Sequence, residues 1–202
     1  MRRLALVLTL LLAVAGISPG RAEELRGRLQ LVGKGGKGAA RGSDVRQALV
    51  WFEPASGAPA RPPAAPFVMT TRDKQFVPRT LTIPVGSRVR FPNEDVILHN
   101  VFSVSGGNSF DLGLYRRGAG KEQKFDQPGL VRVFCNIHPR MIGFIVVRDN
   151  GWHTQPGADG SFTIANVPPG TYTLKVWHER APELTQAITV PSGGLTLAEP
   201  LA

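Results

Sequence analysis

The chain has 202 residues, room for one large or two small domains, and carries a formal charge of +9. Such an excess favours acidic partners, yet no basic run is interleaved with aromatics, which sets nucleic-acid binding aside. The single cysteine, Cys135, excludes an internal disulfide and also the Cys-x-x-Cys-His needed for haem attachment.

Met1-Arg2-Arg3 is basic, residues 4–17 are an almost unbroken apolar run, and Gly20-Arg21-Ala22 supplies the small residues a signal peptidase reads. This order predicts a secretory signal over 1–22, cut after Ala22. The alternative, an uncleaved anchor, would need roughly 20 apolar residues to span a bilayer. Removal of Arg2, Arg3 and Arg21 leaves 21 basic against 15 acidic residues, a charge of +6. Export places the lone thiol in an oxidising compartment, so Cys135 is expected to be deeply buried or already occupied.

Beyond the signal, short runs rich in Val, Ile, Thr and Phe alternate with Gly, Pro, Asn and Asp, the pattern of an all-β sandwich. Strands are predicted over 25–32, 48–53, 66–70, 80–84, 88–93, 99–103, 129–135, 142–148, 161–166, 170–178 and 187–191. The glycine-rich stretch 33–43 and the proline-rich stretch 56–66 read as linkers, and a third joint falls near 149–151. Residues 66–148 are expected to form one compact β-domain. The two strands in 25–54 are too few to stand alone in water. They are therefore expected to join 149–202 in a discontinuous small sandwich, with 66–148 inserted between its second and third strands. The competing arrangement has the early strands extending the central sheets.

The chemistry concentrates in Val133-Phe134-Cys135-Asn136-Ile137-His138-Pro139-Arg140-Met141-Ile142-Gly143. Thiolate, imidazole and thioether stand there at Cys-x2-His-x2-Met spacing, on one tight loop between two predicted strands. A second imidazole, His99, opens the strand at 99–103. A thiolate, two imidazoles and a weak axial thioether are the ligand set of a mononuclear electron-transfer copper. Sulphur donors favour Cu(I) and imidazoles accept Cu(II), so a rigid compromise geometry keeps ligand motion small when an electron arrives. Zinc could also use Cys and two His, but methionine is a poor zinc ligand. An ordinary core Cys with His and Met nearby is the bland reading. His153 and His178, outside the central block, read as surface or structural residues.

The segments Phe76-Val77-Pro78, Leu81-Thr82-Ile83-Pro84-Val85-Gly86 and Val89-Arg90-Phe91-Pro92-Asn93, then Asp95 and His99-Asn100-Val101, resemble the first half of a plastocyanin-like domain. The Cys135–Met141 loop and Gly143-Phe144-Ile145-Val146-Val147 resemble its second half, with a ligand spacing similar to amicyanin. The resemblance implies an all-β, Greek-key cupredoxin sandwich over 66–148. Residues 25–55 plus 149–202 resemble the carboxypeptidase regulatory-like, or transthyretin-like, sandwich, which implies a structural module without peptidase activity. The arrangement resembles exported bacterial proteins described as methylamine-utilisation or plastocyanin-like, which implies a periplasmic location.

Carried onto this chain, the resemblance implies one copper ion held by His99, Cys135, His138 and Met141. Cys135 would be the in-plane thiolate, His99 the buried imidazole, His138 the imidazole nearest solvent, and Met141 the axial donor. Asn100 would hydrogen-bond across to the Cys loop, while Phe134 and Pro139 would keep water out. Arg140, Arg116 and Arg117, with Lys121 and Lys124, would ring the copper edge and meet an acidic redox partner such as a dehydrogenase or cytochrome; a merely solvated basic face is the alternative. The expected function is single-electron transfer between protein partners, with copper storage or delivery as the alternative. Catalysis is not expected: the four histidines include no His-x-His pair for multicopper oxygen chemistry, and a binuclear copper centre would need a second cysteine.

Overall fold

The computed structural model describes residues 23–31, 44–53, 63–198 and 201. The expected signal at 1–22, the linker at 33–43 and most of that at 56–66 lie outside the described residues. Within them the chain is built of strands, with short 3-10 turns at Val45–Gln47 and Gly106–Asn108. β1 (Glu23–Arg28) and β2 (Leu49–Glu53) come first. β3 (Phe67–Val68), β4 (Thr70–Arg72), β5 (Gln75–Val77), β6 (Thr80–Pro84), β7 (Ser87–Asn93), β8 (His99–Ser103), β9 (Phe110–Tyr115), β10 (Gly118–Phe125), β11 (Gly129–Phe134) and β12 (Ile142–Arg148) follow. β13 (His153–Thr154), β14 (Ser161–Val167), β15 (Gly170–His178), β16 (Ala181–Val190) and β17 (Leu195–Thr196) close the series.

These strands form four sheets, ordered β10-β7-β4-β5 with β3 on β7, β6-β12-β11-β8-β9, β13-β2-β15-β16, and β14-β1-β17. Alternation along the strands decides how the sheets stack. Ile145 and Val147 of β12 join Phe91, Val131 and Met69 in the core between the first two sheets. The intervening Val146 turns the other way, against Leu49 and Trp51 of β2. Val50 and Phe52 of β2 then point into a third core with Leu25, Ile164 and Leu174. The four sheets are thus four successive layers, and the inner two are apolar on both faces. That explains why Leu49–Glu53 and Ile142–Arg148 read as almost continuous hydrophobic runs. β1 and β2 pair with β14, β17, β13 and β15, strands that all lie beyond residue 152.

The predicted strands at 80–84, 99–103, 142–148 and 170–178 coincide with β6, β8, β12 and β15. Sequence patterning missed β9 and β10. β10 reads Gly-Ala-Gly-Lys-Glu-Gln-Lys-Phe, exposed but for Phe125 and half-buried Gln123, so it has no apolar period to detect. It is the edge of its sheet, where lysines protect unpaired backbone. β16 starts six residues before its prediction, again as an edge strand with an exposed face. No helix among the described residues is long and apolar enough to cross a membrane.

Candidate metal centre

At one end of the first two layers the β4–β5 turn, the 94–98 loop, the β9–β10 turn and the 135–141 loop come together. Asn93, at the end of β7 and 1% exposed, fixes the second of these. Its Oδ1 accepts from the Asp95 amide (2.9 Å) and the Thr71 hydroxyl (3.1 Å); its Nδ2 donates to the Ile97 carbonyl (2.9 Å) and the Tyr115 carbonyl (3.3 Å). All the hydrogen-bonding capacity of the amide is used, and the loop it shapes delivers His99 to the start of β8.

The 135–141 loop is closed by its own backbone. The Cys135 amide donates to the Met141 carbonyl (3.3 Å) and the Met141 amide to the His138 carbonyl (2.9 Å). Cys135 and Met141 are both buried and belong to the core between the first two layers. Cys135 Sγ lies 3.8 Å from His99 Nδ1 and 3.5 Å from His138 Nδ1. One ligand atom from each of these three residues falls within 4.8 Å of the others. His99 is fully buried and His138 half-buried, with ring centroids 4.8 Å apart.

Two donors bound to one ion at about 2.0–2.3 Å and open angles stand roughly 3.3–3.9 Å apart. Both Sγ-to-Nδ1 separations fall in that interval, so the residues fit a metal. A thiolate with two imidazoles suits copper, and with Cys135 the single cysteine of the chain a zinc site of several thiolates cannot form.

The other residues singled out in the sequence are distributed as follows. Asn100 Oδ1 accepts from the Asn136 amide at 3.4 Å, while its Nδ2 donates to Asp111 at 2.6 Å. Phe134 is half-buried, its ring 5.7 Å from that of Phe102; Pro139 is exposed. Arg140, Arg116 and Arg117 are exposed, the last two in the turn that follows Tyr115, which pairs with His99. Lys124 does not ring the site: it sits opposite Arg88, toward the far end of β7 from Asn93, and pairs with Asp126 at 2.9 Å. Lys121 donates to the Leu112 carbonyl. His178 is buried and accepts from the Arg180 amide, and His153 is half-buried against the Asn150 carbonyl.

Electrostatics distinguish members of the site. Desolvation, then the neighbouring His99 and Lys74, hold the His138 imidazole below its usual value. Burial opposes the Asp95 charge, yet the Lys74 amide, His99 and the Asp73 amide together bring its carboxyl below the ordinary carboxylate range. The Tyr115 phenol is pushed up by burial and then by the Cys135 charge. Sequence reasoning gave Asp95 and Asn93 no role, although both stand in the segment that carries the family resemblance.

Facing β-sheets with a histidine on one strand and a Cys-His-Met loop at the same end define a cupredoxin-type sandwich. The chain is an all-β protein in which that sandwich adjoins a second, smaller one. Residues 152–197 match the family described as Polysaccharide lyase family 4, domain II, a fibronectin-like module covering less than a quarter of the chain. Among solved structures, the chain is similar to a purple cupredoxin from Nitrosopumilus maritimus, at 23% identity over 41% of this chain and 99% of that one (TM-score 0.37). It is similar to a reduced tryptophan-to-tyrosine mutant of amicyanin, at 22% identity over 49% and 98% (TM-score 0.40). It is also similar to a copper-containing nitrite reductase from Thermus scotoductus SA-01, at 31% identity over 47% of this chain and 26% of that one (TM-score 0.40). No curated protein sequence matches the chain.

Proposed function

We propose that the protein is an exported, periplasmic electron carrier that binds one copper ion through His99, Cys135, His138 and Met141 and passes single electrons between protein partners. The observation that carries this reading is the pair of Sγ-to-Nδ1 distances, 3.8 and 3.5 Å, at a buried apolar end of a β-sandwich. When bound there, copper supplies a one-electron couple. The chain's own contribution is rigidity: β8 holds His99, and the β11–β12 connection holds the other three donors on a loop closed by two backbone hydrogen bonds. Asn100 and Phe134 brace the loop from behind, and the carrier performs no catalysis of its own.

The partner-facing surface is the ground around half-buried His138. Val96, Ile97, Leu98 and Ile137 are exposed apolar residues in the two loops that flank it. Arg140, Arg116 and Arg117 are basic and exposed at the same end. Apolar contact lets a complex form and dissociate quickly, and the cations favour an acidic redox protein.

Reconstitution with Cu(II) tests the reading. The parent is expected to show a strong thiolate-to-copper visible band that Cys135→Ser abolishes. Reversible voltammetry with fast exchange is expected as well. A colourless loaded parent would remove the site, and slow exchange by a coloured protein would assign it to copper storage or delivery.

A further inference from the structure

Asp95 joins the candidate metal centre to the opposite sheet. Its Oδ2 lies 2.7 Å from His99 Nε2 and accepts from the Lys74 amide at 3.0 Å; its Oδ1 accepts from the Asp73 amide at 2.8 Å. The Asp95 side chain is only 14% exposed and that of His99 is 0% exposed, so the bond between these two forms where water competes poorly. Asp73 and Lys74 have φ of +54° and +58°. They form the two-residue turn of the β4–β5 hairpin, in which both residues adopt left-handed conformations and their amides converge on one point. β4 and β5 belong to the first layer and β8 to the second. One carboxylate therefore ties a turn of one sheet to a histidine of the other.

The consequence for His99 is a matter of tautomer. A carboxylate at Nε2 requires a proton there, which leaves the Nδ1 lone pair free to face Cys135 Sγ. We propose that Asp95 is the positioning residue of this centre: its carboxylate fixes the Nε2–H form of His99, and the β4–β5 turn, by holding that carboxylate, is a working part of the site. The proposal deepens the copper reading above and rests on it for one of its three measurements. An asparagine at 95 keeps the shape but offers an NH2 to one of the donors that the carboxylate accepts, and it removes the negative charge that favours Cu(II).

The test uses the full chain, 15N-labelled, as parent, Asp95→Asn and Asp95→Ala at pH 7. In the metal-free protein, ring-nitrogen NMR is expected to show His99 protonated at Nε2 in the parent and a mixture of tautomers in Asp95→Ala. Amide exchange at Asp73 and Lys74 is expected to accelerate at least tenfold in Asp95→Ala, while β12 amides keep their protection. In the copper-loaded protein, Asp95→Asn is expected to raise the reduction potential by a tenfold change in the Cu(II)-to-Cu(I) affinity ratio, about 59 mV for one electron. A parent-like His99 tautomer and unchanged turn exchange in Asp95→Ala would overturn the proposal, as would an unaltered potential in Asp95→Asn. Should Asp95→Ala fail to fold, the near-isosteric Asp95→Asn carries all three measurements. Should the parent not take up copper, the electron-carrier reading falls, while the ring-nitrogen and exchange measurements still judge Asp95.

Discussion

Asn93 makes four hydrogen bonds from one buried amide; three fix different pieces of backbone around His99 and the fourth receives the Thr71 hydroxyl. Asn93→Ala leaves two part-buried carbonyls and an amide to find new partners, while the Thr71 hydroxyl keeps the Pro92 carbonyl. The expected cost is about 2–4 kcal/mol, read as a lower denaturation midpoint, with greater disorder of residues 94–98 in NMR. A midpoint equal to the parent's would show that the loop is held by other means. The three residues the fold gathers, His99, Cys135 and His138, were legible in the sequence because two share one short loop and the third opens a strong strand. Asn93 and Asp95 were not. Their roles depend on a turn that brings residues 93, 95, 97 and 99 around one another, and on a hairpin from the other sheet arriving at the same place. Spacing along the chain carries no trace of that second arrival.

Strands with a buried face were legible and strands exposed along most of their length were not, for a physical reason. β8 and β12 bury most of their side chains and β15 buries every second one from Tyr172 on, so their composition is constrained. β10 and β16 bury few, and polar residues serve there as well as apolar ones. The same logic bears on the early strands. β1 stands between β14 and β17, and β2 stands between β13 and β15, so each is an interior strand of its sheet. We propose that residues 25–55 and 149–202 are one discontinuous folding unit. A fragment of residues 152–202 keeps the partners but loses both interior strands. It is expected to lack a cooperative melting transition by circular dichroism, and a sharp transition would establish it as independent. This bears on the family match over 152–197, which takes in neither β1 nor β2.

The second and third layers meet through Leu49, Trp51 and Val146, with Leu130 and Trp177 packed beside them. Phe144 meets Trp177 edge-on at 5.1 Å, and the Arg148 guanidinium lies 5.3 Å from the Trp51 ring centre. At the rim, Arg79 holds Glu179 through two 2.7 Å bonds and donates to the Ile142 carbonyl at 3.1 Å. Arg79 is the main cause of the depressed Glu179 pKa, outweighing the effect of burial. Because the folded value lies below the unfolded one, near 4.3, the pair's contribution is complete above that pH and is lost as pH falls through the folded value. Glu179→Gln is expected to cost about 1–2 kcal/mol at pH 7 and to flatten the acid limb of the stability curve. An acid limb identical to the parent's would remove the pair from the account. In the outermost layer β1 and β17 run parallel, Leu25 beside Leu195, and Leu29 bridges to Leu201 further along. Tension applied between residues 23 and 201 would therefore act along both strands in opposite senses, loading the bonds between them together as a shear. The force would pass from end to end through the fourth layer alone. The end that carries His99, Cys135 and His138, reached only by a detour of chain between β2 and β13, would stay slack while the fourth layer was stretched.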